Sequence, residues 1–345
     1  MEQSTSGEAV SAAVINYNGA RFLKSCLQSV LTQTVPPSEL LVIDNQSTDE
    51  SIGIVRDRFP QVRLVELPRN LGYAGGANVA IHETCSPLLL LLNPDVTLMP
   101  TFMETLTKFA CVHPEAGSLT GKLLRPPQPD RPPVIDSAGH VLFRNRWAVN
   151  RGEGVEDQGQ YDASEEVFGV SGAAPLYRRA MLEDVQVNGE TFAENFFVYL
   201  EDVDLDWRAR LLGWKAYCVP EAVAYHERGY KGGGRRRDAW ILRHSLKNRY
   251  LMMIRNDTLG DVLLDAWAIV PMEIWRFLDF LLTVPGSLRG YLDAMWLLPE
   301  TLRQRRVIRG RTRASRHEIR RWLRRYPYRR QIMERAKLLL VRFES

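Results

Sequence analysis

Short apolar runs alternate with longer amphipathic stretches through the first third of the chain, and each apolar run ends on a polar side chain. Ala12–Asn16 is a strand that stops at Tyr17-Asn18-Gly19. Arg21–Leu31 follows with helical spacing, placing Phe22, Cys26, Leu27, Val30 and Leu31 on one side. Leu40–Ile43 is a second strand, ending at Asp44-Asn45. Ser47 or Thr48 then offers a cap for a helix over Glu50–Phe59, with acidic residues in its first turn. Val62–Glu66 is a third strand, Leu71–Gly76 a glycine-bearing loop and Ala77–Glu83 a helix. Leu88–Leu92, five leucines in a row, is a fourth strand closed by Asn93-Pro94-Asp95, and Thr101–Ala110 is another helix. Strands of this length alternating with helices predict an α/β fold, a mainly parallel sheet covered by helices on both faces. Ligands of such sheets bind beyond the carboxyl ends of the strands, where these polar groups stand.

The rhythm changes after Gly121. Residues 125–133 form a proline-rich rigid loop, and 134–170 read as short irregular strands. A small-residue turn at Ser171-Gly172 precedes a helix, and an aromatic stretch, Phe192–Tyr199, leads into "EDVDLDWRARLLGW". That segment predicts a helix with Val203, Leu205, Trp207 and Leu211 facing inward. Lys215–Val219 is a strand ended by Pro220, with His226 six residues on. Ala239–Ile254 is a long helix. Gly260–Leu282 and Leu288–Leu298 are apolar helices, interrupted by charges and prolines before either reaches the ~20 apolar residues a membrane span needs. They suit helices lying in a membrane interface, or a cover for the main domain.

Composition adds a compartment and a charge split. Four cysteines without ligand-like spacing read as reduced thiols of a cytoplasmic protein, and the N-terminus has no signal-peptide pattern. Residues 301–345 hold 16 Lys/Arg and 3 Asp/Glu, leaving 29 and 38 for residues 1–300. Such a tail suggests a polyanionic partner, a membrane surface or nucleic acid.

Several acidic groups and one histidine stand where chemistry would sit. Asp95 and His226, each just past a strand, suit a hard divalent ion that also takes substrate phosphates. One acid at the start of the "EDVDLD" helix could serve as a base; Asp202 shares a face with Asp206, and Glu201 with Asp204. The same cluster would also complement the helix dipole. The glycines of "NLGYAGGAN" allow close backbone approach but match neither a dinucleotide fingerprint nor a Walker loop.

Seven segments in order, "VINYNG", "LLVIDNQSTDES", "NLGYAGGAN", "LLLLNPDV", "VSGAAPLYRRA", "FFVYLEDVDLDWRARLLGWKAYCVPEAVAYH" and "KNRY", resemble the family 2 glycosyltransferases of GT-A fold, particularly bacterial rhamnosyltransferase-like members. The resemblance covers about residues 10–255 and implies roles for individual residues. Asp44 would bind the nucleotide base, with Asn16, Tyr17 and Asn18 around base and ribose. Asn70, Gly76 and Asn78 would line nucleotide and sugar. Asn93 would stand in the place of the first carboxylate of a D-x-D motif, with Asp95 as metal ligand and His226 a late ligand to metal or diphosphate. Gly172 and Ala173 would lie under the acceptor and sugar, Glu201 and Trp207 beside the substrate. Asp202 would be the catalytic base of an inverting hexosyl transfer. The cofactor implied is Mg²⁺ or Mn²⁺. Arg69, Lys231 and Arg235–Arg237 are candidate diphosphate contacts, and residues 228–237 a candidate lid.

The expectation is therefore a GT-A catalytic domain over 1–238, its nucleotide-sugar half at about 10–120 and acceptor half at 121–238, followed by a helical, amphipathic, basic region over 239–345. The donor first expected is dTDP-rhamnose, then UDP- or GDP-sugars. The acceptor is lipid-linked or a glycan of cell-surface polysaccharide, reached from the cytoplasmic membrane face as a peripheral protein. No nucleic-acid partner is expected, and an oligomer is compatible with the sequence. A sugar nucleotidylyltransferase and a non-catalytic basic adaptor compete with this reading. The first lacks its glycine-rich basic loop at "NYNGARFLKS", and the second rests on the tail charge alone.

Overall fold

The computed structural model describes residues 8–228 and 238–327. The chain runs β1 (Val10–Asn16), α1 (Ala20–Leu31), β2 (Glu39–Asp44), α2 (Ser51–Arg58), β3 (Arg63–Glu66), α3 (Gly72–Glu83), β4 (Leu88–Leu92), β5 (Val96–Leu98) and α4 (Phe102–Val112). It continues with β6 (Ala116–Leu124), β7 (Ile135–Ser137), β8 (His140–Phe143), β9 (Ala148–Asn150), β10 (Glu165–Val167), β11 (Leu176–Arg178), α5 (Arg179–Asp184), α6 (Glu201–Leu211) and β12 (Lys215–His226). Helices follow: α7 (Ala239–Asn256), α8 (Leu259–Leu264), α9 (Ala266–Thr283), α10 (Arg289–Trp296), α11 (Leu298–Arg311) and α12 (Arg316–Arg320), then a short strand β13 (Leu323–Arg324).

Ten of the described strands form one sheet whose main path is β10-β12-β6-β11-β4-β1-β2-β3. β4, β1, β2 and β3 are parallel neighbours, as are β6 and β12, whereas β11 is antiparallel to both β4 and β6. The expected mixed α/β architecture with a mostly parallel sheet and a helical C-terminal region is what the chain forms. Successive β-α units step outward from β1 through β2 to β3, then return to place β4 on the other side of β1. That reversal opens a crevice at the carboxyl ends of β1 and β4, the usual place for a ligand in such a sheet.

The leucine run of β4 is explained by two-sided burial. Leu88, Leu90 and Leu92 pack into the core with Leu23, Leu27 and Leu106, while Leu89 and Leu91 pack on the opposite face with Ala77, Met181 and Leu205. A strand covered on both faces has no reason to alternate.

Several local expectations change. The glycine-bearing segment is not a loop ahead of a helix but the first turns of α3, which begins at Gly72. Gly72 has φ +69°, and a Cβ there would meet the Phe197 carbonyl at 2.3 Å. α2 begins at Ser51 without a side-chain cap, because Ser47 bonds to Asn16 and Asn18 instead. In α1 the core residue is Leu23; Phe22 is half-buried. Pro220 does not end the last strand: β12 continues to His226 through a register shift against β6 between Val219 and Val223. The bulge fits because residue 121 is glycine, where a Cβ would lie 2.0 Å from the Ala222 carbonyl oxygen. The single apolar helix expected over 260–282 is split at Asp265 into α8 and α9, and α9 tolerates Pro271 inside it.

Candidate functional site

The loops after β1 and β2 form one hydrogen-bonded unit. Asn16 and Asp44 sit opposite each other in the register and are both fully buried. The Asn16 amide donates to Asp44 Oδ1 at 2.8 Å and to Ser47 Oγ at 3.1 Å, and the Ser47 N–H donates to Asp44 Oδ2 at 2.8 Å. Asn18 closes the loop from outside, accepting from the Thr48 N–H at 2.8 Å, and Tyr17 stands exposed beside it. This carboxylate is fixed in place before any ligand arrives.

The α3 start is tied to that unit through Asn45, whose Oδ1 accepts from the Leu71 N–H. Asn70 accepts from the Gly72 N–H at 2.8 Å, turning the chain into α3. Gly76 lets α3 press onto the sheet, since a Cβ there would lie 2.8 Å from both Asn45 and Ile15. Asn78 points away to brace residues 192–194, donating to the Phe192 carbonyl and accepting from its N–H, each at 2.8 Å.

Beyond these loops lies a cavity of about 600 Å³. Asn93, Gly172, Ala173 and His226 come to its wall from the sheet side, Glu201 and Asp202 from the start of α6. The Asn93 N–H donates to the Ala173 carbonyl at 2.9 Å, joining the end of β4 to the small-residue turn. Asp202 Oδ2 accepts from the Gly172 N–H at 3.0 Å and Oδ1 from the Val203 N–H at 2.8 Å. A Cβ at 172 would stand 3.3 Å from that carboxylate, so glycine permits the approach. Glu201 is buried, and desolvation together with the neighbouring Asp202 charge pushes its carboxyl well above the usual range.

A histidine that sequence reasoning missed joins this group. His140 lines the cavity, with Nδ1 3.1 Å from Asp206 Oδ2 and Nε2 3.6 Å from Asp202 Oδ2. Burial works against its charge, but Asp202 and Asp206 outweigh it and raise the imidazole pKa. Burial also lifts Asp206 to about 6. The i, i+4 pairing of Asp202 with Asp206 was legible; that a residue 66 positions before Asp206 fills the gap between them was not. Asp204, by contrast, turns inward to Arg208 at 3.0 Å and Arg255 at 3.2 Å, a structural cluster.

The pairing of β5 with β12 brings Asp95 and His226 together. Val96 is opposite His226, the Glu227 N–H donates to the Asp95 carbonyl, and His226 Nε2 stands 3.4 Å from Asp95 Oδ1. The other ring nitrogen meets fully buried Asp136 at 2.8 Å, which also holds Arg228. Burial opposes the charged imidazole, yet hydrogen bonds to Asp136 and Asp95 raise its pKa to about 9. Among the described residues no group of three His, Cys, Asp or Glu side chains converges as a ready metal cage.

Trp207 lies away from the cavity, buried against Phe168 in the core under α6. Lys231, Arg235–Arg237 and the candidate lid beyond Arg228 fall outside the described residues. The far wall of the cavity was also missed. It comes from the C-terminal helices and the β8–β9 hairpin, with Leu242, Leu246, Phe280 and Trp147 beside Arg146, Arg249 and Arg276.

A family model described as glycosyl transferase family 2 matches residues 11–185. The N-acetylglucosaminyl-diphospho-decaprenol L-rhamnosyltransferase of Mycobacterium tuberculosis is 29% identical over 245 residues, covering 66% of this chain and 78% of the relative. Among solved structures, TarS 1–349 of S. aureus in complex with UDP-GlcNAc superposes with a TM-score of 0.56 at 16% identity, covering 91% of this chain and 89% of that one. The mannosyltransferase PcManGT of Pyrobaculum calidifontis, in complex with GDP-Man and Mn²⁺, gives 0.51 at 16% identity, with coverage of 89% and 86%. The chain spans about half the length of two other matched structures, 48% of GalNAc-T7 and 52% of the longer TarS chain.

Proposed function

The chain belongs to glycosyl transferase family 2, and from that premise we propose that it is an inverting transferase moving L-rhamnose from dTDP-rhamnose to a hydroxyl of a lipid-linked acceptor in cell-wall glycan synthesis. The observation that carries this reading is Asp202, a carboxylate aligned by the Gly172 N–H on the wall of a cavity large enough for a sugar and its acceptor. Asp202 takes the proton of the acceptor hydroxyl as that oxygen attacks the anomeric carbon. The C1–O bond to the nucleoside diphosphate breaks on the opposite side, so configuration inverts and the diphosphate leaves with the bonding electrons. The Asp44–Asn16–Ser47 unit with Tyr17 and Asn18 would receive the nucleoside, and Asn70 and Gly76 would support the wall beside it.

Asp95 and His226 would hold a divalent ion, Mg²⁺ or Mn²⁺. The donor set fits: Asp136 fixes Nδ1 of His226, leaving Nε2 facing the Asp95 carboxylate, and such an ion takes its remaining ligands from water and substrate phosphates. When bound, the ion would supply positive charge to the departing diphosphate.

Domain division is inferred along the same lines, with a catalytic unit through about residue 238 and a helical region after it. The outer face of that region supports a peripheral site on the inner face of the cell membrane. Trp267, Val270, Ile274, Phe277, Leu278, Leu281 and Leu282 of α9 are exposed, as are Leu292, Met295 and Trp296 of α10, while Arg276 and Glu273 turn inward. This is a helix with its apolar side outward, and exposed Arg289 and Arg303 follow it. Among the described residues no helix is long and apolar enough to cross a membrane.

The decisive experiment is Asp202→Asn. Transfer should fall by about 10³-fold or more while dTDP-rhamnose binding is retained, as loss of a general base alone predicts. Normal turnover in that variant sinks the assignment, and release of pyrophosphate rather than nucleoside diphosphate would point to a nucleotidylyltransferase.

A further inference from the structure

The far wall of the cavity carries buried guanidiniums with unmet hydrogen-bond donors. Arg276 projects from the inner side of α9 and is 3% exposed. Its Nε and Nη2 have no hydrogen-bond partner among the described residues. The guanidinium lies over the Trp147 ring, 5.0 Å from the centroid, and reaches Glu273 only at 3.7 Å. Glu273 is already committed elsewhere. It accepts from Arg249 Nε at 3.0 Å and Nη2 at 2.6 Å, and from the Tyr250 hydroxyl. One carboxylate thus faces two guanidiniums, and it is Arg276 whose Nε and Nη2 are left without a hydrogen-bond partner. Nearby Arg146 is paired with Asp257 and Asp265, but its Nη2 is also orphaned.

A buried guanidinium with unmet donors is costly, and an anion entering the cavity would satisfy those donors. Burial and the adjacent Arg249 charge lower the Arg276 pKa to about 10, so it remains charged at neutral pH. The planar fork suits phosphate oxygens better than an ammonium would. Apolar Leu242, Leu246 and Phe280 line the same wall, and the other side of α9 is the exposed apolar face. An anion with a hydrocarbon chain matches both features; a free sugar or a nucleotide matches only one.

We propose that Arg276, supported by Arg249, is the phosphate-binding subsite for the lipid-linked acceptor, whose chain leaves along α9. The proposal rests on the glycosyl-transfer reading for the acceptor's role, but not on the identity of the donor sugar.

Three probes separate the sources of phosphate in calorimetric titrations of the full chain: farnesyl diphosphate, inorganic pyrophosphate and thymidine diphosphate. Arg276→Met should weaken farnesyl diphosphate and pyrophosphate by about tenfold or more, the loss expected for a charge-assisted hydrogen bond. Thymidine diphosphate should bind as before. The thermal midpoint should stay or rise, because a buried charge with unmet hydrogen-bond donors has been replaced by an apolar chain of similar length. A purely structural arginine would instead lower the midpoint and leave farnesyl diphosphate binding intact, which overturns the proposal. Parallel loss of thymidine diphosphate also overturns it, because Arg276 would then serve the donor. A second measurement needs no variant: saturating thymidine diphosphate should leave farnesyl diphosphate affinity in the wild-type chain unchanged, and competition between them sinks the separate subsite. If no nucleoside diphosphate binds wild-type protein while Arg276→Met still loses farnesyl diphosphate, the donor reading fails and the subsite stands.

Discussion

At the scale of single residues, chemistry depends on partners that sequence spacing could not supply. Asp202 was legible as a helix-start acid, and its glycine contact at 172 lay in a quoted small-residue turn. His140 was silent. It matters because its imidazole sits between Asp202 and Asp206, held by both. Its pKa is raised above 6.5 in the fold, so the stabilisation it contributes is complete below 6.5 and is lost as pH climbs through the folded value. His140→Gln should therefore destabilise the protein more at pH 6 than at pH 9 in urea unfolding. Equal losses at both pH values would show that the imidazole charge is not what the two carboxylates hold. The residues assigned to the nucleotide differ in kind: Asn16 and Asp44 are buried and pre-bonded, whereas Tyr17 is exposed, so only the latter would move to meet a base.

Among the elements, β4 and α9 show opposite relations between pattern and place. Five leucines mean a strand buried on both faces, and no context changes that. α9 carries a comparable apolar content, yet presents it outward and buries its arginine. Hydropathy alone counted its charges as interruptions; burial shows them to be the inner face. If the outer face meets lipid, Leu282→Glu combined with Trp296→Glu should reduce co-sedimentation with phosphatidylglycerol vesicles severalfold or more, since each removes a largely exposed apolar anchor and adds like charge. The thermal midpoint should barely move, because neither side chain is in the core. Unchanged vesicle binding would remove the membrane from the reading of this face.

For the whole molecule, the charge split acquires an internal explanation. The acidic excess of residues 1–300 and the basic excess of the C-terminal region meet each other within the described fold. Arg311 and Arg313 pair with Asp184, Arg316 with Asp261, and Arg320 with both Asp261 and Asp265. Arg305 and Arg309 bond carbonyls at the end of α7. For these arginines the charge serves to clamp the C-terminal helices onto the body, whereas Arg303 and Arg306 stay exposed and residues 328–345 lie outside the described part. Asp265 is fully buried, so Arg320→Ala should cost about 1.5–3 kcal/mol, the range for hydrogen bonds to charged groups. Urea unfolding checks this; a loss near zero would return the arginines to the solvent-facing role the sequence suggested.

The order of strands and helices, the two-sided strand, the polar groups at the strand ends and the family all followed from local pattern, because periodicity and turn chemistry act over a few residues. The glycine segment was misjudged as a loop, since only contact with Phe197 and Asn45 shows why glycines start a helix there. The pairing of His226 with Asp95, the bulge that carries β12 past Pro220, the place of His140 and the inward turn of Arg276 belong to the tertiary structure. Each joins residues tens of positions apart, and burial rather than residue type decides whether such a charge is a solvated surface group, a clamp or a binding site.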